Sequence, residues 1–142
     1  MTATERAKHE LAMLEYIANM QGKTFVWGEN DCLTFATGAF LAYSGVDLFK
    51  PYRNKYNSQN SAENVLNGRT IEQMVETEVA KHENVVELPE LTAGDPALVV
   101  VEIMGKQFGA FYTGMTIQIF QNYGLQLVGF GHVKRCWGVI WP

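Results

Sequence analysis

Up to about residue 90 the apolar positions of this chain recur at helical spacing, and beyond it they alternate or run together as they do in strands. Leu11, Leu14, Ile17 and Ala18 predict the buried face of a helix over about Thr4–Met20, with Thr2 and Glu5 at capping-box spacing and Gly22 as its stop. A second helix begins behind Asn30 or Asp31 as N-cap, carries Leu33, Phe35, Ala36, Ala39, Phe40 and Leu41, and ends at Ser44-Gly45. From Val46 to Ser61 no period is sustained, and the polar, aromatic-rich run from Tyr52 to Asn60 reads as a surface excursion. Short helices are expected at about Ser61–Leu66 and Thr70–Lys81. The latter has Thr70 as N-cap and Ile71, Met74, Val75 and Val79 as its buried stripe.

The second half is punctuated by glycine. Thr92-Ala93-Gly94-Asp95-Pro96 is a turn feeding a strand from Ala97 to Ile103, and Met104-Gly105-Lys106 is a tight hairpin connection into Gln107 to Thr113. Strands follow over Thr116 to Phe120 and Leu125 to Val128. After Gly129-Phe130-Gly131-His132 comes a last one over Arg135 to Ile140. Helices first, then consecutive strands on short turns, predict an α+β fold with N-terminal helices packed on a C-terminal, mainly antiparallel sheet. No repeat or linker interrupts the pattern, so one domain over 1–142 is expected, with its helical part at about 1–90 and its sheet part at about 91–142.

A chain of 142 residues, 47% hydrophobic, is long enough to bury one core. Lys and Arg number 11 against 15 Asp and Glu, a net charge of −4, and no basic run occurs. Nucleic acid and anionic membrane surfaces are therefore not expected partners. The longest aliphatic run, Ala97 to Val101, falls far short of the roughly 18–20 residues of a membrane span. The polar start Thr2-Ala3-Thr4-Glu5-Arg6 lacks the apolar centre of a signal peptide, so a soluble protein made in a cytoplasm is expected. Cys32 and Cys136 form neither a metal spacing nor a disulfide framework. A reduced pair with no metal and no cofactor is the expectation.

The candidate chemistry centres on Cys32. An aromatic, turn-rich lead-in, Phe25-Val26-Trp27-Gly28-Glu29-Asn30, delivers it to the first turn of an apolar helix. There, unpaired backbone N–H groups and the helix dipole favour a thiolate, while the carboxylate of Asp31 opposes one. The alternative is that Cys32 is simply a small buried apolar residue. Of the three histidines, His9 and His82 read as solvated surface positions. His132, on a glycine-flanked connection before the last strand, could reach a cysteine in space, or could hydrogen-bond a strand end. Trp27, Trp137 and Trp141 read as core or rim aromatics.

Phe25-Val26-Trp27-Gly28 with Asp31-Cys32, a long helix behind the cysteine, Ala93-Gly94-Asp95 opening a strand and Phe108-Gly109-Ala110-Phe111 on the next resemble the NlpC-like branch of the papain-fold cysteine peptidases. Within that branch the chain looks most like small bacteriophage proteins that resemble cell-wall hydrolase components of long-tailed phage tail tips. The resemblance runs from about residue 5 to the C-terminus. It implies a papain-like fold, a cysteine nucleophile at a helix N-terminus, a histidine base at the start of the second strand, and a third polar residue on the following strand.

Carried onto this sequence, Cys32 matches the nucleophile, Gln107 falls where the histidine belongs, and Gln118 or Gln121 stands near the third position, with Trp27 and Asp31 shaping the cleft. A glutamine is no general base, and losing the imidazole removes roughly 10²–10⁴ of rate. The resemblance thus implies a virion protein of the phage tail tip or baseplate, assembled in the host cytoplasm with other tail proteins as partners and carrying a degenerate peptidase fold. The alternative is an active cysteine peptidase or amidase on cell-wall (peptidoglycan) peptide, with Cys32 as nucleophile, His132 as base and helix-start N–H groups as oxyanion donors. A third reading is a domain that binds wall peptide or an acyl group without turning it over.

Overall fold

The computed structural model describes residues 1–92 and 94–141, with the side chain of Phe130 left aside. Ala93 of the Ala93-Gly94-Asp95 motif therefore lies outside the described residues. Helix α1 (Ala3–Met20) is closed by the expected capping box between Thr2 and Glu5. Its buried face differs from the expected one. Met13 and Ile17 are buried, with Tyr16 and Met20 packed beside them, whereas Leu11 and Leu14 are 57% and 54% exposed and Ala18 faces solvent. Tyr16 sets this rotation: its hydroxyl donates to the Phe35 carbonyl at 3.1 Å. It crosses Gly38, where a Cβ would lie 2.2 Å from the hydroxyl oxygen. Periodicity offers two neighbouring stripes on α1, and this single close contact selects one.

Helix α2 (Cys32–Ser44) is the centre of the molecule, and Phe35, Ala36, Ala39 and Phe40 are completely buried in it. Gly45, at φ 76°, ends it in the left-handed conformation. Behind it, Asn54, Lys55, Asn57, Gln59 and Asn60 of the expected surface excursion are exposed, while Tyr52 at its start is buried and Tyr56 half-buried. Leu48, Phe49 and Tyr52 are buried, around a short 3₁₀ turn at Lys50–Tyr52. Tyr52 donates to Glu78 at 2.7 Å, and Arg53 pairs with Asp47 and lies over the Phe49 ring. Aromatic anchors set at irregular intervals in a loop leave no period for a sequence reading to detect. Helix α3 (Gln59–Leu66) starts at the Ser58 cap and buries no residue fully. Helix α4 (Ile71–Val79) starts at the expected Thr70 cap and buries Met74, Val75 and Glu78, with Ile71 and Val79 partly covered.

The strands are β1 (Val85–Leu88), β2 (Ala97–Ile103), β3 (Lys106–Tyr112), β4 (Thr116–Phe120), β5 (Gly124–Val128) and β6 (Val133–Val139). They form one six-stranded sheet in the order β1-β6-β2-β3-β4-β5, with every pair antiparallel. The domain is thus α+β with N-terminal helices, as expected. Strand β1 lies within the part expected to be helical, and it forms because Val85 to Leu88 can pair along β6 from Val139 to Cys136. The expected hairpin at Met104-Gly105 joins β2 to β3, both residues taking positive φ.

Leu98, Val100, Phe111, Ile119 and Trp137 face the helices, while Ala97, Val99, Val101, Ala110, Tyr112 and Cys136 form a second cluster on the opposite face. The sheet is curled. In a flat sheet β5 and β6 would stand roughly 19 Å apart across three intervening strands, yet only Gly129 to His132 join Val128 to Val133. Extended, that connection reaches about 17 Å, and it includes a 3₁₀ turn at Phe130–His132. Among the described residues no helix is long and apolar enough to cross a membrane.

Candidate functional site

Cys32 occupies the first position of α2, and Asp31 before it is the N-cap. Asp31 is 2% exposed and fully engaged. Its Oδ1 accepts from the N–H groups of Leu33 and Thr34 at 3.1 and 2.9 Å, and its Oδ2 accepts from the Gly28 N–H at 2.9 Å and from the Tyr56 hydroxyl. Thr34 completes the cap by accepting from the Asp31 N–H at 2.6 Å. The Trp27-Gly28 turn is built for the chain that crosses it. Gly28 holds φ at 82°, and a Cβ there would sit 2.1 Å from the Tyr56 carbonyl oxygen. Only glycine tolerates both the backbone conformation and the approach.

Across the start of α2 lies β3, and Gly109 lets them meet. A Cβ on Gly109 would fall 2.8 Å from Leu33 Cδ2 and 3.4 Å from the Cys32 carbonyl oxygen. A cavity of about 200 Å³ opens beside Cys32, between the start of α2, β3 and the layer formed by the 3₁₀ turn, α3 and α4. Trp27, Phe49, Val65, Leu66, Met74 and Phe108 supply most of its wall, with Asp31, Tyr52, Tyr56 and Gln107 among the polar residues that complete it. Gln59 and Glu63, both exposed, stand at the rim from the outer side of α3.

The environment of the sulfur holds it as a neutral thiol. Burial is the largest influence and the Asp31 charge adds to it, against smaller opposing contributions from the N–H groups of Gly109, Leu33 and Cys32 itself; the thiol is pushed up to about 12. Of the opposing influences expected at Cys32, burial and the Asp31 charge outweigh the helix N–H groups. Of the N-terminal N–H groups of α2, Asp31 already occupies those of Leu33 and Thr34, which leaves the N–H of Cys32 itself. A carboxylate cap satisfies the helix and places a like charge next to any thiolate.

The structure brings Cys32, Trp27, Asp31 and Gln107 to one cavity, and it leaves the other candidates elsewhere. Gln107 is held as a brace rather than free toward the sulfur. Its Oε1 accepts from the Glu72 N–H at the start of α4 at 2.9 Å, and its Nε2 donates to Glu102 at 3.4 Å. His132 is exposed at the end of the 3₁₀ turn before β6, which is separated from β3 by β2. No histidine contributes to the cavity wall, and among the described residues no hydrogen bond joins His132 to Cys32.

Gln118 is also away from the cavity. Ile117 and Ile119 on either side of it pack toward α2, so Gln118 points to the opposite face of β4, where it is completely buried. Both its amide nitrogen and its amide oxygen lack a partner there. Gln121 lines a separate groove against the segment from Gln21 to Trp27. His9, expected in solvent, packs on Trp141 with ring centroids 4.6 Å apart. Both cysteines are free, and among the described residues no group of three or more His, Cys, Asp or Glu side chains could hold a metal ion.

Sequence reasoning missed Tyr56, because the segment that carries it reads as solvated loop. The one available signal was Gly28, whose glycine marks a place where backbone approaches backbone without saying which segment approaches. Among known families, the model of a domain of unknown function, DUF6950, matches residues 4–139. No curated protein matches the chain.

Proposed function

We propose that this chain, which belongs to the DUF6950 family, is a non-hydrolytic domain of the NlpC-like papain fold that serves as a structural component of a bacteriophage tail tip or baseplate. The observation that carries the first half of this reading is the shared wall of Cys32 and Gln107. A cysteine peptidase needs a base beside the sulfur; the residue of β3 that shares the cavity wall is Gln107, an amide already committed to Glu72 and Glu102. With the thiol pushed up to about 12, the thiolate fraction at neutral pH is on the order of 10⁻⁵. Neither half of the catalytic step is then supplied: no strong nucleophile forms, and nothing protonates a leaving amine.

The papain-like assignment is supported by the placement of Cys32 at the N-terminus of a helix laid on an antiparallel sheet, with Gln107 at the beginning of β3. The tail-tip assignment rests on the resemblance of the block from Phe25 to Cys32. An assembly role is consistent with the exposed apolar pair Leu11 and Leu14 on α1 and with Tyr123 and Leu127 around β5. Such a domain would reside in the virion with other tail proteins as neighbours.

The test is the pH dependence of Cys32 alkylation by a small thiol reagent, with Cys32→Ser used to subtract Cys136. The expected rate at neutral pH is far below that of an unstructured cysteine and still climbs above about pH 9. A thiolate reactive at neutral pH and suppressed in His132→Ala would overturn the non-hydrolytic reading. The assembly half is tested separately, by looking for the chain in purified tails; its absence there would overturn that half.

A further inference from the structure

The cavity beside Cys32 has an unusual inventory of polar groups: nearly all of them are already used. Asp31 is saturated by Gly28, Leu33, Thr34 and Tyr56. The Tyr52 hydroxyl is bound to Glu78, and Gln107 spans Glu72 and Glu102. Away from Gln59 and Glu63 at the rim, the inner wall is hydrocarbon, aromatic rings and the sulfur of Cys32. A buried water needs two to four polar partners, and an apolar cavity of about 150 Å³ stays dry and takes up benzene. The space here is about 200 Å³ and opens at the rim beside Gln59 and Glu63, so a guest reaches its apolar inner wall from solvent. The α3 side of the wall comes from a helix with no fully buried residue, so its occupant can enter without breaking a packed core. Glu63 at the rim disfavours an anionic head on whatever enters.

We infer that the Cys32 cavity is a binding pocket for one uncharged apolar group about the size of a single aromatic ring, presented either as a free small molecule or as the side chain of a neighbouring protein chain. This rests on the non-hydrolytic reading above, since the thiol acts here as an apolar wall and no bond is made or broken. Desolvation of Trp27, Met74 and Phe108 by the guest would drive binding. The protein needs to present no new hydrogen bond.

The experiment titrates the intact chain with toluene and, separately, with a short uncharged peptide carrying one phenylalanine and blocked at both ends. Trp27 fluorescence and the Cys32 alkylation rate are followed, with wild type compared to Ala62→Phe. Ala62 is a partly buried wall residue on α3, and a phenyl ring there fills the space from within. Far-ultraviolet circular dichroism and thermal melting establish that the variant is folded; should it not fold, Val65→Phe takes its place.

Saturable binding of toluene, with alkylation slowed at least about threefold and the response lost in the filled variant, is the expected result. If the peptide also saturates, the natural guest is a protein side chain; if toluene alone does, it is a free molecule. Absence of saturation by both probes in folded wild type, or identical responses from wild type and the filled variant, would overturn the inference. The alkylation profile without probe reads the non-hydrolytic assignment independently: a sluggish thiol with no probe binding defeats the pocket alone, and a reactive thiolate defeats the reading beneath it.

Discussion

The Tyr56 hydroxyl donates to the same carboxylate oxygen of Asp31 that accepts the Gly28 N–H. One buried carboxylate thereby joins the segment after the 3₁₀ turn, the Trp27-Gly28 turn and the first turn of α2, and it stands next to Cys32. It also explains why Tyr56 holds its proton: burial comes first, and the Asp31 charge reinforces it. Tyr56→Phe keeps the ring and removes the donor. Hydrogen bonds to charged groups are worth about 1.5–3 kcal/mol, so urea unfolding should report a loss in that range. A loss below about 0.5 kcal/mol would mean that the bond does not hold the segment down.

Two glycines should differ in their cost. At Gly109 the added methyl of alanine meets the flexible end of Leu33, and a shift of α2 can absorb part of the clash. Overpacking of that kind costs about 1–3 kcal/mol. At Gly28 the methyl meets the Tyr56 backbone at 2.1 Å and the residue is held at φ 82°, so left-handed strain of about 1–2 kcal/mol is added to a contact that cannot rotate away. Thermal melts of Gly28→Ala and Gly109→Ala are expected to rank Gly28→Ala as the less stable.

The alkaline limb of stability should carry a signature of Cys32. Unfolded, the thiol titrates near about 8.5; folded, it is pushed up to about 12. Between those values the folded state keeps a proton that the unfolded state has lost. The stabilisation is therefore fully present below the unfolded value and declines with rising pH, by at most about 1.4 kcal/mol per unit. Tyr16, pushed up to about 12 by burial, adds a similar decline above about pH 10. Burial raises the Cys136 thiol as well, so Cys32→Ala should remove one share of the part that begins near about pH 8.5 and leave that of Cys136 and the tyrosine part, which denaturant unfolding of Cys32→Ala, Cys136→Ala and wild type at about pH 8 and about pH 10 resolves.

Gln118 is a completely buried amide with both polar atoms unpaired. Such a group costs about 1–3 kcal/mol relative to an apolar one of the same shape. Gln118→Met should therefore raise the melting temperature, by about 3 °C for each kcal/mol recovered in a domain of this size. A fall instead would show that an internal water or an orienting role holds the amide in place.

Gln107→His places an imidazole at the position that the resemblance assigns to a catalytic base. If the start of β3 addresses the sulfur, Cys32 alkylation at neutral pH should rise at least about tenfold, since an adjacent imidazolium favours the thiolate. An unchanged rate in a folded variant would mean that the first residues of β3 do not reach Cys32.

Much of this molecule was legible in the chain itself. The Thr2 and Glu5 capping box, the Thr70 cap, the Met104-Gly105 hairpin and the order of helices before strands are local signals, set by backbone sterics and by which neighbours can satisfy a helix end. So was the placement of Cys32 in the first turn of an apolar helix behind a short polar residue. Each depends on residues within a few positions of one another, which is the range over which a sequence pattern carries information.

Other features were decided only when distant segments met. The rotation of α1 follows from Tyr16 lying over Gly38, and β1 exists because β6 offers it an edge. Tyr52, at the head of the expected surface run, became core because its hydroxyl found Glu78 on α4. The state of the thiol was decided in the same way. A helix N-terminus by itself favours an anion, and only the assembled site shows that burial and the Asp31 carboxylate outweigh it. Local chemistry determined which residues stand at the site. Desolvation and long-range contact, which no single segment encodes, determined what those residues can do.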